Sequence, residues 1–250
     1  MKYVRFMKDG KVQYGQVDGE KVILCEGDIE KGFKTVQTEY SLSDVALLSP
    51  VSPSKVVCVG LNYLDHIKEF NHDIPESPVI FIKPSTAVIA PDAEIIYPPL
   101  SRQVDYEGEL VMIIGKEAKN VPEENAAEYI WGYTCGNDVT ARDLQPKDGQ
   151  WTIAKGFDTF APIGPFAVTD IDPNQLAIKT YLNDKIVQNS NTKYLLFKPA
   201  MLLSFVSAVM TLLPGDVIMT GTSSGVGPMK AGDIVTVDIE GIGQLRNTVK

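Results

Sequence analysis

The chain has 250 residues, of which 44% are hydrophobic and 22% charged, and its formal net charge is -9. This is the composition of a soluble globular protein long enough to bury a large core, and it excludes a disordered polymer. The acidic balance, with no dense stripe of lysine or arginine, disfavours DNA, RNA or anionic lipid as partners and suits a cation.

The N-terminus, MKYVRFMKDGKV, has no apolar signal-peptide core, and no apolar run approaches the length of a membrane span, so a cytoplasmic location without membrane contact is expected. Residues 1 to 25 read as short strands broken by Asp-Gly at 9 to 10 and 18 to 19, which predicts a three-stranded meander. SLSDVALLSP at 41 to 50 predicts a short serine-capped helix stopped by Pro50. SPVSPSK at 49 to 55 interrupts both periodicities. It places a boundary between a small N-terminal domain, 1-53, and a larger domain, 54-250.

Beyond the boundary, short β-rich segments run from KVVCVG at 55 to 60 through GELVMIIG at 108 to 115 to DIVTVDI at 233 to 239. Helices are predicted over NYLDHIKEF (62 to 70), VPEENAAEYI (121 to 130) and KPAMLLSFVSAVMTL (198 to 212), the last with Pro199 in its first turn. Strands and helices do not alternate, so a doubly wound sheet is excluded and the expected class is mainly β with a few helices, α+β. Cys25, Cys58 and Cys135 are far apart and lack a C-x-x-C pair, so they read as buried reduced thiols rather than a zinc site or a disulfide framework.

VDYEGELVMIIG at 104 to 115, taken as one strand, puts Asp105, Glu107 and Glu109 on one face with Val111 and Ile113. Same-face neighbours lie roughly 6.5 to 7 Å apart, so the carboxylates repel. Asp138 falls where another apolar strand turns polar. Glu107, Glu109 and Asp138 would supply three oxygen positions to an octahedral Mg²⁺ or Mn²⁺ and leave about three open; the same spacing also describes a solvated strand face beside a turn aspartate.

His66 precedes Glu69 by three residues, a helical spacing at which a carboxylate can orient an imidazole as a general base, or simply form an exposed surface pair. His72 has no such partner and reads as a loop histidine. Lys155, between an apolar segment and a glycine-containing turn, could face a developing anion. MTGTSSGVGPMKAGD at 219 to 233 offers backbone N–H groups and the hydroxyls of Thr222 and Ser223 to an anion, without the P-loop pattern.

In that order, GLNYLDHIKE, DYEGEL, GYTCGNDVTARDLQ, AKGFDTFAPIGP and TGTSSGVGPMKAGD closely resemble the fumarylacetoacetate hydrolase family, from about residue 54 to the C-terminus. The resemblance implies a mixed β-sandwich roll preceded by a small N-terminal α+β domain, usually assembled as a homodimer, with Mg²⁺ or Mn²⁺ on Glu107, Glu109 and Asp138. By the same motif matching, His66 and Glu69 resemble a water-activating dyad on a closing segment, and Lys155 the lysine that faces the reacting oxygen. Arg142, Gln145 and Thr222 match substrate-contacting positions, and Asp105 stands outside the metal trio. Thr248, in LRNTVK, departs from the proline common among relatives.

The implied substrates are small 2-oxo acids that react through a pyruvate-type enolate. Hydrolysis of an acylpyruvate or fumarylpyruvate carbon–carbon bond is the leading expectation. Decarboxylation or tautomerisation of an oxaloacetate-like acid, and isomerisation of 2-hydroxyhepta-2,4-diene-1,7-dioate, are alternatives on the same site. A non-catalytic protein that binds a metal and a dicarboxylate is the alternative from another class.

Overall fold

Left-handed backbone at Asp9 and Gly10 (φ 49° and 74°) closes the first hairpin, as an Asp-Gly pair allows. In the computed structural model, which describes residues 1-146 and 149-250, the N-terminal strands are β1 (Lys2–Lys8), β2 (Lys11–Asp18), β3 (Lys21–Asp28) and β4 (Gly32–Ser41). The three strands expected over residues 1 to 25 are present, and β4 extends the meander by a fourth that the sequence does not announce: it is polar and largely exposed, so it lacks the apolar alternation that marks a strand. The expected serine-capped helix is one 3-10 turn, Leu42–Asp44, followed by β5 (Ala46–Leu48). The Ser41 hydroxyl pairs with that of Ser43 at 2.8 Å instead of capping a backbone N–H, and β5 lies against β1, where Leu47 packs on the cluster around Phe6.

The rest of the chain comprises β6 (Val56–Gly60), α1 (Leu64–Glu69), β7 (Val79–Lys83), β8 (Val88–Ile89), β9 (Glu94–Ile95), β10 (Val104–Tyr106) and β11 (Gly108–Ile114). After them come β12 (Ile130–Asn137), β13 (Thr140–Ala141), α2 (Thr152–Lys155), β14 (Ala161–Val168), β15 (Ala177–Leu182) and β16 (Lys185–Asn191). The last elements are α3 (Pro199–Val209), β17 (Val217–Thr222), β18 (Gly227–Met229), β19 (Ile234–Ile239) and β20 (Gly243–Val249). VPEENAAEYI forms a 3-10 helix, Glu123–Tyr129, in which Ala126 alone is buried, too thin an apolar stripe to hold an amphipathic α-helix. The class is mainly β with few helices, and none of the described helices is long and apolar enough to cross a membrane. All three cysteines are buried and free.

Among the described residues a twelve-stranded mixed sheet runs β4-β3-β2-β1-β14-β12-β11-β17-β6-β7, with β5 on β1 and β8 on β14. The β1–β14 pairing joins the N-terminal meander to it directly. A second sheet, β16-β15-β19-β20-β9, packs on one face, and a small third sheet is ordered β13-β10-β18. Leu110, Met112 and Ile114 of β11 enter the core shared with β15, β19 and α3, whereas Val111 and Ile113 enter the core on the opposite face. Burial on both faces explains why GELVMIIG is a continuous apolar run.

The structure corrects one expectation that matters for function. Residues 104 to 115 are two strands in two sheets, broken at Glu107, rather than a single strand with a row of acids. At the break the N–H of Gly108 donates to Gln188 Oε1 at 2.9 Å and that of Glu107 to Asn137 Oδ1 at 2.9 Å, so the chain changes sheets without losing its backbone hydrogen bonds.

Candidate active site

The large and small sheets meet at Glu107. Register pairs Gly108 with Asn137 and Glu109 with Thr222, and the N–H of Asp138 donates to the carbonyl of Glu107 at 2.9 Å. Strand ends from three parts of the chain thereby bring Glu107, Glu109 and Asp138 together, all buried, with one oxygen of each within 4.8 Å of the others.

Three cations surround this cluster. Lys155, at the end of α2, donates to Glu107 Oε2 at 2.8 Å and Asp138 Oδ2 at 2.7 Å. Arg142 reaches Glu107 Oε1 through Nη2 (2.5 Å), Asp105 Oδ2 through Nε (2.8 Å) and Gln145 Oε1 through Nη1 (2.6 Å). Lys83, fully buried at the end of β7, donates to Asp138 Oδ1 and to the carbonyls of Val139 (3.0 Å) and Phe160 (2.5 Å).

Burial pushes the Glu107 carboxyl up, but Lys155 and Arg142 together hold it well below the usual carboxylate range. Glu109 differs. Burial pushes its carboxyl well above the usual range, and the charges of Asp138 and Glu107 push the same way. Its hydrogen bond is from the N–H of Gly221, at 2.7 Å, and it makes no ion pair among the described residues. Four carboxylates, counting Asp105, thus stand against three cations, and the surplus negative charge falls on Glu109. A divalent cation fits there, since the donors are hard oxygens held on one side and open to a cleft on the other.

Helix α1 covers that cleft. His66 Nδ1 faces Glu69 Oε2 at 3.1 Å, and Glu69 Oε1 accepts the N–H of Gly225 at 3.0 Å. Burial opposes ionisation of Glu69, but these hydrogen bonds from His66 and Gly225 outweigh it and hold the carboxyl below its ordinary value. The Ser224 hydroxyl donates to Asp65 Oδ2 at 2.8 Å, a second tie between the helix and the loop after β17. The Phe70 ring meets the His66 ring edge-on at 5.1 Å and lies 5.1 Å from the guanidinium carbon of Arg142.

His66, Glu107, Glu109, Asp138, Arg142, Gln145, Lys155 and Thr222 all line this cleft, and Glu69 touches it through His66. Asp105 lies to one side, holding Arg142 and accepting from Gln103 Nε2 at 3.0 Å. The Thr222 hydroxyl donates to the carbonyl of Gly108 (3.0 Å) and accepts from Gln188 Nε2 (2.8 Å).

Residues 55–250 match the family described as Fumarylacetoacetate (FAA) hydrolase C-terminal, and residues 1–50 match one described as Rv2993c-like, N-terminal. The chain belongs to the fumarylacetoacetate hydrolase family. It is 45% identical to the solved 5-carboxymethyl-2-hydroxymuconate delta-isomerase from Mycobacterium smegmatis, with a TM-score of 0.93 over 100% of this chain and 99% of that one. The mitochondrial oxaloacetate tautomerase fahd2 of Xenopus laevis is 43% identical over 222 residues, 84% of this chain and 70% of that protein. Fumarylpyruvate hydrolase from Pseudomonas aeruginosa, solved with Mn²⁺ and pyruvate, is 37% identical with a TM-score of 0.74 over 80% of this chain and 90% of that one.

Four further residues shape the site of this fumarylacetoacetate hydrolase family member, and their sequence neighbourhood assigns none of them to it. Lys83 holds Asp138 from behind, and Gln188 on β16 grips both the Gly108 N–H and the Thr222 hydroxyl. Phe70 and His72 line the cleft from the segment that ends α1. His72 is thus a cleft residue and not merely a loop histidine. The only available signal was its position two residues past an aromatic at a helix end.

Proposed function

We propose that this protein is a divalent-cation-dependent enzyme that acts on a small 2-oxo diacid of the oxaloacetate kind through its enolate, moving a proton at the carbon beside the 2-oxo group. The observation that carries the reading is the convergence on one cleft of the three-carboxylate cluster, Lys155 and the His66–Glu69 pair. Likeness to a tautomerase and an isomerase supports proton transfer. Likeness to fumarylpyruvate hydrolase supports a second reading, hydrolysis of an acylpyruvate, in which His66 would take its proton from water.

Mg²⁺ or Mn²⁺ held by Glu107, Glu109 and Asp138 would supply Lewis acidity toward the 2-oxo acid. Lys155 is cationic: burial works against its charge, but Asp138 and Glu107 outweigh burial and raise its pKa. Its ammonium is therefore available to the oxygen that gains charge as the enolate forms, an interaction that strengthens toward the transition state. His66 turns Nδ1 to the Glu69 carboxylate, which leaves Nε2 to accept and return the substrate proton. Because Glu69 is also held by Gly225, the dyad is aligned when α1 rests on the loop after β17. Arg142 and Gln145 are placed to orient the substrate's remaining oxygens.

The test is keto–enol interconversion of oxaloacetate, and hydrolysis of acetylpyruvate, by protein loaded with Mg²⁺ or Mn²⁺. His66→Ala should slow the reaction by about 10² to 10⁴ and leave calorimetric Mn²⁺ binding intact, whereas Glu107→Gln should lose both. Wild-type protein that binds Mn²⁺ yet accelerates neither reaction refutes the proposal.

A further inference from the structure

We infer that His72 reads the far end of the substrate, donating a hydrogen bond to a second carboxylate and so favouring 2-oxo diacids over 2-oxo monoacids. The inference rests on the substrate class proposed above and assigns a residue to it.

The backbone puts His72 where it is. Helix α1 ends in a pair of hydrogen bonds, Asn71 N–H to the Lys68 carbonyl at 3.2 Å and His72 N–H to the Ile67 carbonyl at 3.0 Å, with Asn71 in the left-handed region at φ 53°. This is a Schellman ending, and in it the residue at the His72 position commonly is apolar and packs back on the last helical turn. Here that position carries an imidazole that lines the cleft, its ring stacked at 6.5 Å and 26° on Phe70. Phe70 in turn lies against Arg142, so His72 stands in a layered stack that leads to the substrate-orienting side of the site.

Charge explains why a donor is needed there. Arg142 is engaged by Asp105 and Glu107, Lys155 by Glu107 and Asp138, and Lys83 is enclosed behind Asp138. Arg142 and Lys155 line the cleft and can still reach the substrate, but each meets it with its charge already shared with carboxylates of the protein. A substrate with one carboxylate at the metal end presents no further demand, but a diacid brings a second anion to a cleft lined with acids. An imidazole keeps at least one N–H donor in either neutral tautomer, and among the described residues neither Glu69, which faces His66, nor the adjacent Asp73 makes an ion pair with His72, so its ring can meet that group.

The experiment measures calorimetric binding, in the presence of Mn²⁺, of pyruvate and of 3,3-difluoro-oxaloacetate, a diacid with no proton to lose at the carbon beside the 2-oxo group. Wild-type protein should bind the diacid more tightly than pyruvate. His72→Ala should weaken the diacid about tenfold, the loss of one charge-assisted hydrogen bond, and leave pyruvate within about twofold; His72→Gln, which keeps an N–H donor, should recover most of the difference. Equal weakening of both ligands, no weakening of either, or a wild-type protein without preference for the diacid overturns the inference. Binding is read apart from turnover, so a protein that prefers the diacid through His72 but catalyses nothing would refute the proposed reaction and leave this assignment standing.

Discussion

Replacing Gly108 by alanine should unseat two of the clustered glutamates without touching either carboxylate. A β-carbon at Gly108 would lie 2.1 Å from Thr180 Oγ1, 3.3 Å from Gln188 Oε1 and 3.4 Å from Val237 Cγ1. The first distance is far inside contact, and Thr180 is fully buried and, being β-branched, stiff about χ1. The peptide cannot slide away cheaply, because its N–H is held by Gln188 and its carbonyl by Thr222. Overpacking of this kind costs about 1 to 3 kcal/mol, and a displaced buried hydrogen bond adds about 1 kcal/mol. Thr180 Oγ1 has no hydrogen-bond partner among the described residues, so Thr180→Ala removes the obstruction without orphaning another group and should cost about 1 kcal/mol for the lost methyl. The double variant should then be more stable than the sum of the two losses by at least about 1 kcal/mol. Urea unfolding measures that cycle, and Mn²⁺ titration should show affinity lost in Gly108→Ala and partly regained in the pair. Strict additivity, or wild-type Mn²⁺ affinity in Gly108→Ala, would refute the claim that packing on this peptide sets the cluster.

Lys83→Met should destabilise the fold by about 3 to 5 kcal/mol, because Asp138 Oδ1 and the carbonyls of Val139 and Phe160 would be left buried without a donor; a loss under about 1 kcal/mol in urea would show that Lys155 alone suffices for Asp138. Asp216, buried at the start of β17, accepts from Ser54 N–H (2.9 Å) and hydroxyl (2.6 Å), from Leu213 N–H (2.8 Å) and from the Lys55 ammonium. Burial opposes its charge, but Lys55 and Ser54 outweigh burial and depress the carboxyl. A depressed folded-state pKa means stability that is complete above the unfolded value of about 4 and is lost as pH falls through the lower folded one. Asp216→Asn should therefore cost about 2 to 3 kcal/mol at neutral pH and lose less than the wild type between pH 4 and acid unfolding; parallel pH curves would exclude Asp216 as a source of the acid sensitivity.

Much of the fold can be read locally. GELVMIIG carries a run of β-branched and aliphatic residues because its strand lies inside the large sheet, and VIFIKP carries one at the edge of that sheet, where Ile80 and Phe81 pack on the two cores; such runs are visible in any window. The strands KIVQNSN (β16) and GQLRNTV (β20) are not visible in that way: β16 exposes Ile186 and buries Gln188, β20 carries polar residues at its exposed positions, and what makes them strands is pairing with β15 and β19. The Asp9-Gly10 turn is legible for the opposite reason, since its left-handed backbone is a property of two adjacent residues. The SLSD helix fails on the same ground, because a cap signal worth about 1 kcal/mol yields to the strand pairing that Ala46–Leu48 gains on β1.

The site divides along the same line, and the division says what kind of knowledge a motif holds. Acidic residues at 107, 109 and 138 can be picked out because their chemistry is unusual beside apolar strands, whatever their partners. Their tolerance for one another is a property of other segments: Lys155 lies 48 residues from Glu107, and Lys83 lies 55 residues from Asp138. A lysine at the end of VIFIK looks like any solvated lysine until the fold encloses it, and Gln188 looks like any surface glutamine until β16 brings it to the break between β10 and β11. The break also dissolves the puzzle of three acids on one strand face, since Asp105 turns to Arg142 in the small sheet while Glu109 points with Val111 into the large one. Repulsion is relieved for Glu107 and Asp138 by cations from elsewhere and is left standing at Glu109, whose carboxyl is the one pushed up. A cluster whose charges only held the fold would have paired that group too; among the described residues Glu109 makes no ion pair, which costs stability, and the cost is intelligible if its partner is a bound cation.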